Sequence, residues 1–268
     1  MTIASGADGA QIYYEIHGSG TPVVLSAGMG GGGGFWTPQI AALAQRHQVI
    51  VYDHVGTGRS RGDAPVTRDI AGMAGDIASV LDHVGVDAAH VVGHAIGGIV
   101  GLELAMLNPA RVRSVTVVNG WGRADAFLRR CFEVRKEILK ASGPRAYVRA
   151  QPLFLFPPRW IAENVAKIEA EEPHMVAHFP PLETMNARIE MFLAFDPSER
   201  LKTIAAPVLV TTAADDALVP AYLTRELAAA IPGAMLREVS YGAHAFTAVT
   251  PEVFNTMVLE FLAGVDGG

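Results

Sequence analysis

The sequence predicts an α/β protein built on a mostly parallel, doubly wound sheet flanked by helices. Three observations predict it. Short apolar runs rich in valine and isoleucine alternate with stretches of helical periodicity. Most of these runs lack polar alternation, as expected of strands buried on both faces. Several break into glycine-rich loops or small polar clusters. With 268 residues, half of them hydrophobic, the chain can bury a large core.

The elements follow in order. Residues 10–20, AQIYYEIHGSG, alternate enough for a half-buried strand ending in a glycine turn. PVVLSAG (22–28) is a fully buried strand that breaks into the five glycines Gly30 to Gly34. FWTPQIAALAQ (35–45) reads as a helix, and HQVIVYDHVGTGRS (47–60) as a buried strand entering a glycine-rich loop. Residues 70–86 carry apolar side chains at helical spacing, and AAHVVGH (88–94) is the fourth strand-like run. IGGIVGLELAMLNPARV (96–112) is a helix ended by Asn108 and Pro109, and VRSVTVVNG (112–120) is again a strand.

The β–α alternation then stops. Residues 121–195 read as a helical cap with breaks at Pro144, Pro157, Pro158 and Pro173, so residues 1–120 and 196–268 form the core. APVLVTTAADD (206–216) restarts the strands. A helix at 221–231, a strand at 234–244 and an amphipathic helix at 251–264 close the chain.

Bulk properties exclude several functions. The net charge is −6, without the basic footprint of a nucleic-acid binder. Charges of both signs are interspersed, so no polybasic block addresses a membrane surface. No apolar run reaches the ~18 residues of a membrane span. Cys131 is the one cysteine, which precludes an internal disulfide. The N-terminus lacks a basic segment followed by an apolar one. The expectation is a cytoplasmic protein with a small-molecule substrate and neither nucleic-acid nor membrane partners. An exposed apolar cap could support a homodimer. His90 and His94 have i, i+4 spacing but fall on a strand and turn, and no H-E-x-x-H or cysteine pair occurs, so no metal is expected. DHVGTGRS lacks a complete phosphate-binding fingerprint, and no organic cofactor is expected.

The chemistry-bearing residues stand at strand ends. Gly93-His94-Ala95-Ile96-Gly97 has the glycine frame of a G-x-S-x-G nucleophile elbow, with Ala95 at the nucleophile position. Asp216 follows a later strand and precedes Pro220 by four residues, and His244 follows the last strand. The order elbow, acid, histidine is that of a hydrolytic triad, at the carboxyl edge where open α/β sheets place their sites. Asp215 is the neighbouring acid, read as a solvated loop residue. An oxyanion hole would use the N–H groups of Ile96, at a helix start, and Met29, in the loop after VVLSAG. Trp121 and His94 are expected at the substrate pocket. Phe154, Phe156, Trp160 and Phe179 read as cap core, and Cys131 as a small buried hydrophobe. Arg129 and Arg130 could meet a carboxylate, though such arginines more often lie on a solvated helix face.

On VVLSAGMGG, YDHVGTGRS, VVGHAIGG, DDALVP and YGAHAF the chain resembles the α/β-hydrolase superfamily over essentially its full length. That resemblance implies a helical cap inserted after the sixth strand. The third motif usually reads G-H-S-x-G-G. The second usually has arginine where this chain has Val55, and the first usually has His-Gly where it has Ala27-Gly28. Both departures remove a contact that would brace a loop. VNGW, RRCFEVR, RAQPLFLFPPRW and AHF are similar to the cap of pyrimidine-utilisation hydrolases of the Rut pathway, in which an alanine elbow is compatible with the native protein. The resemblance implies an aminohydrolase-type activity on a very small, labile carbamate or aminoacrylate. Asp216 and His244, intact beside a missing nucleophile, point to direct activation of water by the pair. Two other readings stay open. One is a serine esterase or lactonase carrying a Ser-to-Ala change at position 95. The other is a non-catalytic small-molecule binding protein on the same scaffold.

Overall fold

A computed structural model describes residues 2–60 and 68–267. Among them, eight strands form one sheet: β1 (Thr2–Ser5), β2 (Gln11–His17), β3 (Thr21–Ser26), β4 (His47–Tyr52), β5 (Ala89–His94), β6 (Val112–Val118), β7 (Val208–Ala213) and β8 (Met235–Val239). Their spatial order is β1-β2-β4-β3-β5-β6-β7-β8. β1 and β2 pair antiparallel, β2 runs antiparallel to β4, and every later pairing is parallel. β1 was not expected from the sequence. It has four residues with only Ala4 buried, which leaves no periodicity to read. With it, the strand that leads into the long helical segment is the sixth.

Helices α1 (Thr37–Leu43), α2 (Ile70–Val84) and α3 (Ile96–Leu107) belong to the crossovers between the central strands. α2 starts where the Asp69 carboxylate accepts from the Gly72 N–H at 2.6 Å, and it ends at Gly85 in the left-handed region. Between β6 and β7 lie α4 (Ala126–Ala150), α5 (Pro152–Leu155), α6 (Pro158–Glu163), α7 (Val165–Ala177) and α8 (Leu182–Ala194). α4 is capped by Asp125 and kinks at Gly143, just before Pro144. Pro173 does not break its helix. α7 runs through it to Ala177, tolerating one missing backbone donor. α9 (Ala221–Ala230), α10 (Phe246–Val249) and α11 (Pro251–Asp266) complete the chain.

Two apolar clusters sandwich the sheet. One holds Trp36, Leu43, Phe246, Phe254 and Leu262 beneath α1, α10 and α11. The other gathers Ile77 of α2, Ile99 of α3 and Leu227 of α9, and continues into Leu128, Phe132, Ile189 and Phe192 of α4 and α8. Sheet and helical segment therefore share one continuous core. Among the described residues no single helix is long and apolar enough to cross a membrane.

The tightest contact in this core lies at the β5–α3 turn. A Cβ on Gly93 would sit 2.2 Å from the Gly97 carbonyl, and one on Gly97 would sit 2.2 Å from the Ser26 carbonyl oxygen. Backbone blocks both positions, so no side-chain rotation relieves the clash. Gly97→Ala should lower unfolding free energy by about 3 kcal/mol. Gly34→Ala, where a Cβ meets nothing within 4 Å, should change it by less than about 1 kcal/mol. Urea denaturation of the two variants measures the difference.

Candidate active site

Ala95 joins β5 to α3 with φ 50° and ψ −112°, one of three non-glycine residues with positive φ among those described. Such backbone costs on the order of 1–3 kcal/mol and persists only where the surroundings enforce it. Here the Ala95 N–H donates to the Val118 carbonyl at 2.7 Å, and the close approaches at Gly93 and Gly97 fix both flanks. Ile96 opens α3. Its N–H, and that of Met29 after β3, donate to no acceptor among the described residues. Orphan amides at a helix start and in a neighbouring loop are suited to developing negative charge.

His244 and Asp216 come together as expected. Nδ1–H of His244 donates to Asp216 Oδ2 at 2.8 Å, and the two side chains are 4 % and 0 % exposed. Asp216 Oδ1 accepts from the N–H groups of Leu218 and Val219 at 2.8 and 2.9 Å. The carboxylate can only accept, so the imidazole proton lies on Nδ1 and Nε2 is left as a base.

The backbone of His244 is held from three further sides. Its carbonyl accepts from His94 Nε2–H and from Asn119 Nδ2, both at 2.8 Å, and Asn119 also donates to Ala243 O at 3.1 Å. The Asp215 carboxylate accepts from Gly242 N–H at 3.2 Å and Ala243 N–H at 2.8 Å. Asp215 is thus exposed but is not the solvated loop residue expected of it. It clamps a segment in which Gly242 (φ 129°) and Ala243 (φ 53°) both have positive φ.

The two expected pocket residues, His94 and Trp121, pack with different apolar clusters. His94 is a correction. It has the same parity along β5 as Val92, so its side chain lies on the α1–α11 face of the sheet. There its ring packs 4.6 Å from those of Phe35 and His244. It is a positioning residue beneath His244. Burial, and then the neighbouring His244, bring its pKa down to about 3, so it stays neutral and donates through Nε2. Trp121 is buried between sheet and cap helices, edge-on to Phe192 at 5.5 Å, in the same cluster as Ala95 and Ile96. Its indole N–H is buried and has no acceptor among the described residues.

The loop after β3 is braced in place of the two missing family contacts. Asp53 accepts from Gly33 N–H at 2.7 Å and from Arg59 Nε and N–H, both at 2.8 Å, which ties the glycine run to the β4 loop. Arg188 of α8 donates from Nη2 and Nε to the Met29 carbonyl at 3.0 and 3.2 Å. Within the glycine run Gly31 and Gly33 are buried and anchored, while Gly30 and Gly34 are exposed. Asn119, His54 and Arg188 escaped sequence reasoning. Arg188 left a readable trace, because it lies on the apolar stripe Met185-Arg188-Ile189-Phe192. Cys131 is half-buried with its thiol pKa raised by burial, which does not suit it as a nucleophile. Among the described residues no group of three His, Cys, Asp or Glu side chains could hold a metal ion. His90 is bonded to Ser114 and Asp266 instead.

The neutrality of His94 has a thermodynamic signature. The unfolded chain takes up its proton below pH 6.5, whereas the folded chain resists until about pH 3. Its stabilising contribution is complete above pH 6.5 and is lost as pH falls. Inside that window it costs about 1.4 kcal/mol per pH unit. His94→Gln should flatten the fall in urea-unfolding free energy between pH 7 and pH 5 by that slope.

Comparison with known proteins agrees with the fold. The family model described as alpha/beta hydrolase fold matches residues 21–143. A protein of Azorhizobium caulinodans named "Putative carbamate hydrolase RutD" is 66 % identical over 99 % of this chain and all of its own length. A Caulobacter vibrioides protein of the same name is 48 % identical over 98 % of both. Among solved structures, the enol-lactonase from Burkholderia xenovorans LB400 superposes with a TM-score of 0.86 at 25 % identity, covering 98 % of this chain and all of the other. With this fold, this elbow and these relatives, the chain belongs to the α/β-hydrolase family, in the group of proteins that bear the name RutD.

Proposed function

We propose that this hydrolase acts on a small, labile C–N compound of the carbamate or 3-aminoacrylate type, as in pyrimidine degradation, with water taking the place of a serine nucleophile. The observation that carries the reading is the buried His244–Asp216 pair, retained with its full backbone support beside an elbow that offers only a methyl group. A scaffold used only for binding has no need of a base oriented by a buried carboxylate. The carbamate name of the relatives supports the C–N assignment.

The chemistry of 3-aminoacrylate fits such a site. Its enamine takes a proton from solvent at the α-carbon to give an iminium ion. Water then adds to the iminium carbon, and His244 Nε2 removes the water proton. His244 returns that proton to nitrogen, which leaves as ammonia, and the carbinol hydroxyl releases its proton to solvent as the C=O bond forms, giving malonate semialdehyde. Water in and ammonia out balance the step. Ile96 and Met29 amides would stabilise negative charge developing on oxygen. General-base assistance of this kind supplies ~10²–10⁴-fold. That suffices for a compound that already decomposes in water, but not for an ordinary ester. In a serine triad the loss of the nucleophile leaves only ~10³–10⁴ over water.

Ammonia release from freshly generated 3-aminoacrylate tests the reading. The unmodified enzyme should exceed the spontaneous rate, and His244→Ala should lower the enzymatic excess by about 10²-fold or more. Asp216→Asn should lower it as well, and Ala95→Ser should not be required for activity. Ammonia release at the spontaneous rate, with strong esterase activity only in Ala95→Ser, would show instead a serine hydrolase lacking its nucleophile.

A further inference from the structure

The cap carries two buried arginines, and they are not the pair at 129 and 130. Those two are exposed, and Arg129 donates to the Leu193 carbonyl. Arg135 and Arg188 are each 3 % exposed, and neither meets a carboxylate among the described residues. Burying a guanidinium without an anion is costly, so each needs a reason.

Arg135 has one within the protein. Its guanidinium lies over the rings of Phe132, Tyr147 and Phe154 at 4.9, 4.9 and 5.3 Å, and aromatic faces favour a cation. Arg188 has no such cage. Of its five N–H donors, Nε and one on Nη2 go to the Met29 carbonyl. The second on Nη2 goes to His54 Nδ1 at 3.0 Å. His54 must accept there, so its own proton is on Nε2 and bonds Ser26 Oγ at 3.2 Å, which in turn meets the Tyr52 hydroxyl. Every group in this chain is neutral apart from Arg188. Burial, and then the Arg188 charge, hold the His54 pKa well below the imidazole range, while burial brings Arg188 only to about 10. The arginine therefore stays cationic at neutral pH, with both Nη1 donors uncommitted among the described residues.

We infer that Arg188 is the anchor for a substrate carboxylate, received on Nη1. The partners of Arg188 place this anchor. It grips the carbonyl of the residue whose N–H is one of the two orphan amides beside the elbow. An anion on Nη1 therefore sits within a few bonds of the reacting centre, and the substrate must be short. The class this fits is a small acid whose reacting carbon lies one or two bonds beyond its carboxylate, such as a 3-substituted acrylate. A carbamate would place its only carbon on the anchor itself. The location of the reacting carbon rests on the hydrolytic reading above. The carboxylate binding does not, because it needs no turnover.

A chemical-shift titration of the unmodified protein with acrylate and with acrylamide, its neutral counterpart, tests this at pH 7.5. Acrylate should bind at least about 10-fold more tightly. Arg188→Gln, checked for folding by thermal melting, should lose about 10- to 100-fold of that preference. Arg188→Lys, which keeps the charge but not the fork, serves if the glutamine variant does not fold, and should lose part of it. Arg135→Gln should keep the preference within about threefold. Equal binding of the two ligands, a preference that survives in folded Arg188→Gln, or its loss in Arg135→Gln instead would overturn the assignment. Acrylate preference without ammonia release leaves the anchor standing and removes the hydrolytic reading. Ammonia release without acrylate preference does the reverse.

Discussion

The approach of the Gly97 backbone to the Ser26 carbonyl sets the distances on which the rest of the site depends. A methyl group between them would push α3 away from β3, and the amides of Ile96 and Met29 would no longer belong to one site. The same contact forces Ala95 into backbone that alanine rarely adopts, and the bond from its N–H to Val118 ties that backbone to β6. α3 is buried along nearly its whole length, so it cannot shift to relieve the crowding. The elbow is preserved as a geometric device although its usual side chain is missing. This is the physical ground for reading the site as a working one.

Charge is distributed in the site with similar economy. His94 and His54 are kept neutral by burial and used as fixed donors or acceptors. The His244 ring is bonded to the buried carboxylate of Asp216, and its backbone is pinned by His94, Asn119 and, through the preceding residues, Asp215. Among the described residues, the buried charge in this region without a carboxylate partner is Arg188, on the cap side of the loop after β3. Imidazole and guanidinium thus enter from different parts of the chain, His244 from the sheet edge and Arg188 from α8.

Much of this was legible in the sequence because turn chemistry and strand burial are local. Gly93 and Gly97 mark the elbow, and the order Asp216 then His244 marks the pair. The Val- and Ile-rich runs mark β3 to β7. What escaped has a common cause. Asn119 and Arg188 act on backbone carbonyls 125 and 159 residues away, and no local pattern encodes such a partner. Asp215 reads as a loop residue until the Ala243 N–H is seen beside it. His94 reads as a pocket residue from its place in the elbow, whereas its parity along β5 turns the side chain to the α1–α11 face. The buried arginines were the one recoverable signal. Arg135 and Arg188 both interrupt apolar stripes, whereas Arg129 and Arg130 are marked only by their adjacency in sequence.

In the proposed mechanism water, activated by His244, replaces a covalent nucleophile. The most direct measurement is the intact mass of the unmodified protein in samples quenched during turnover of 3-aminoacrylate, with ammonia determined in the same samples. Water activation requires ammonia above the spontaneous level and a protein of unchanged mass at every time point. A transient mass increase matching a substrate-derived adduct, rising and falling with ammonia release, would contradict it.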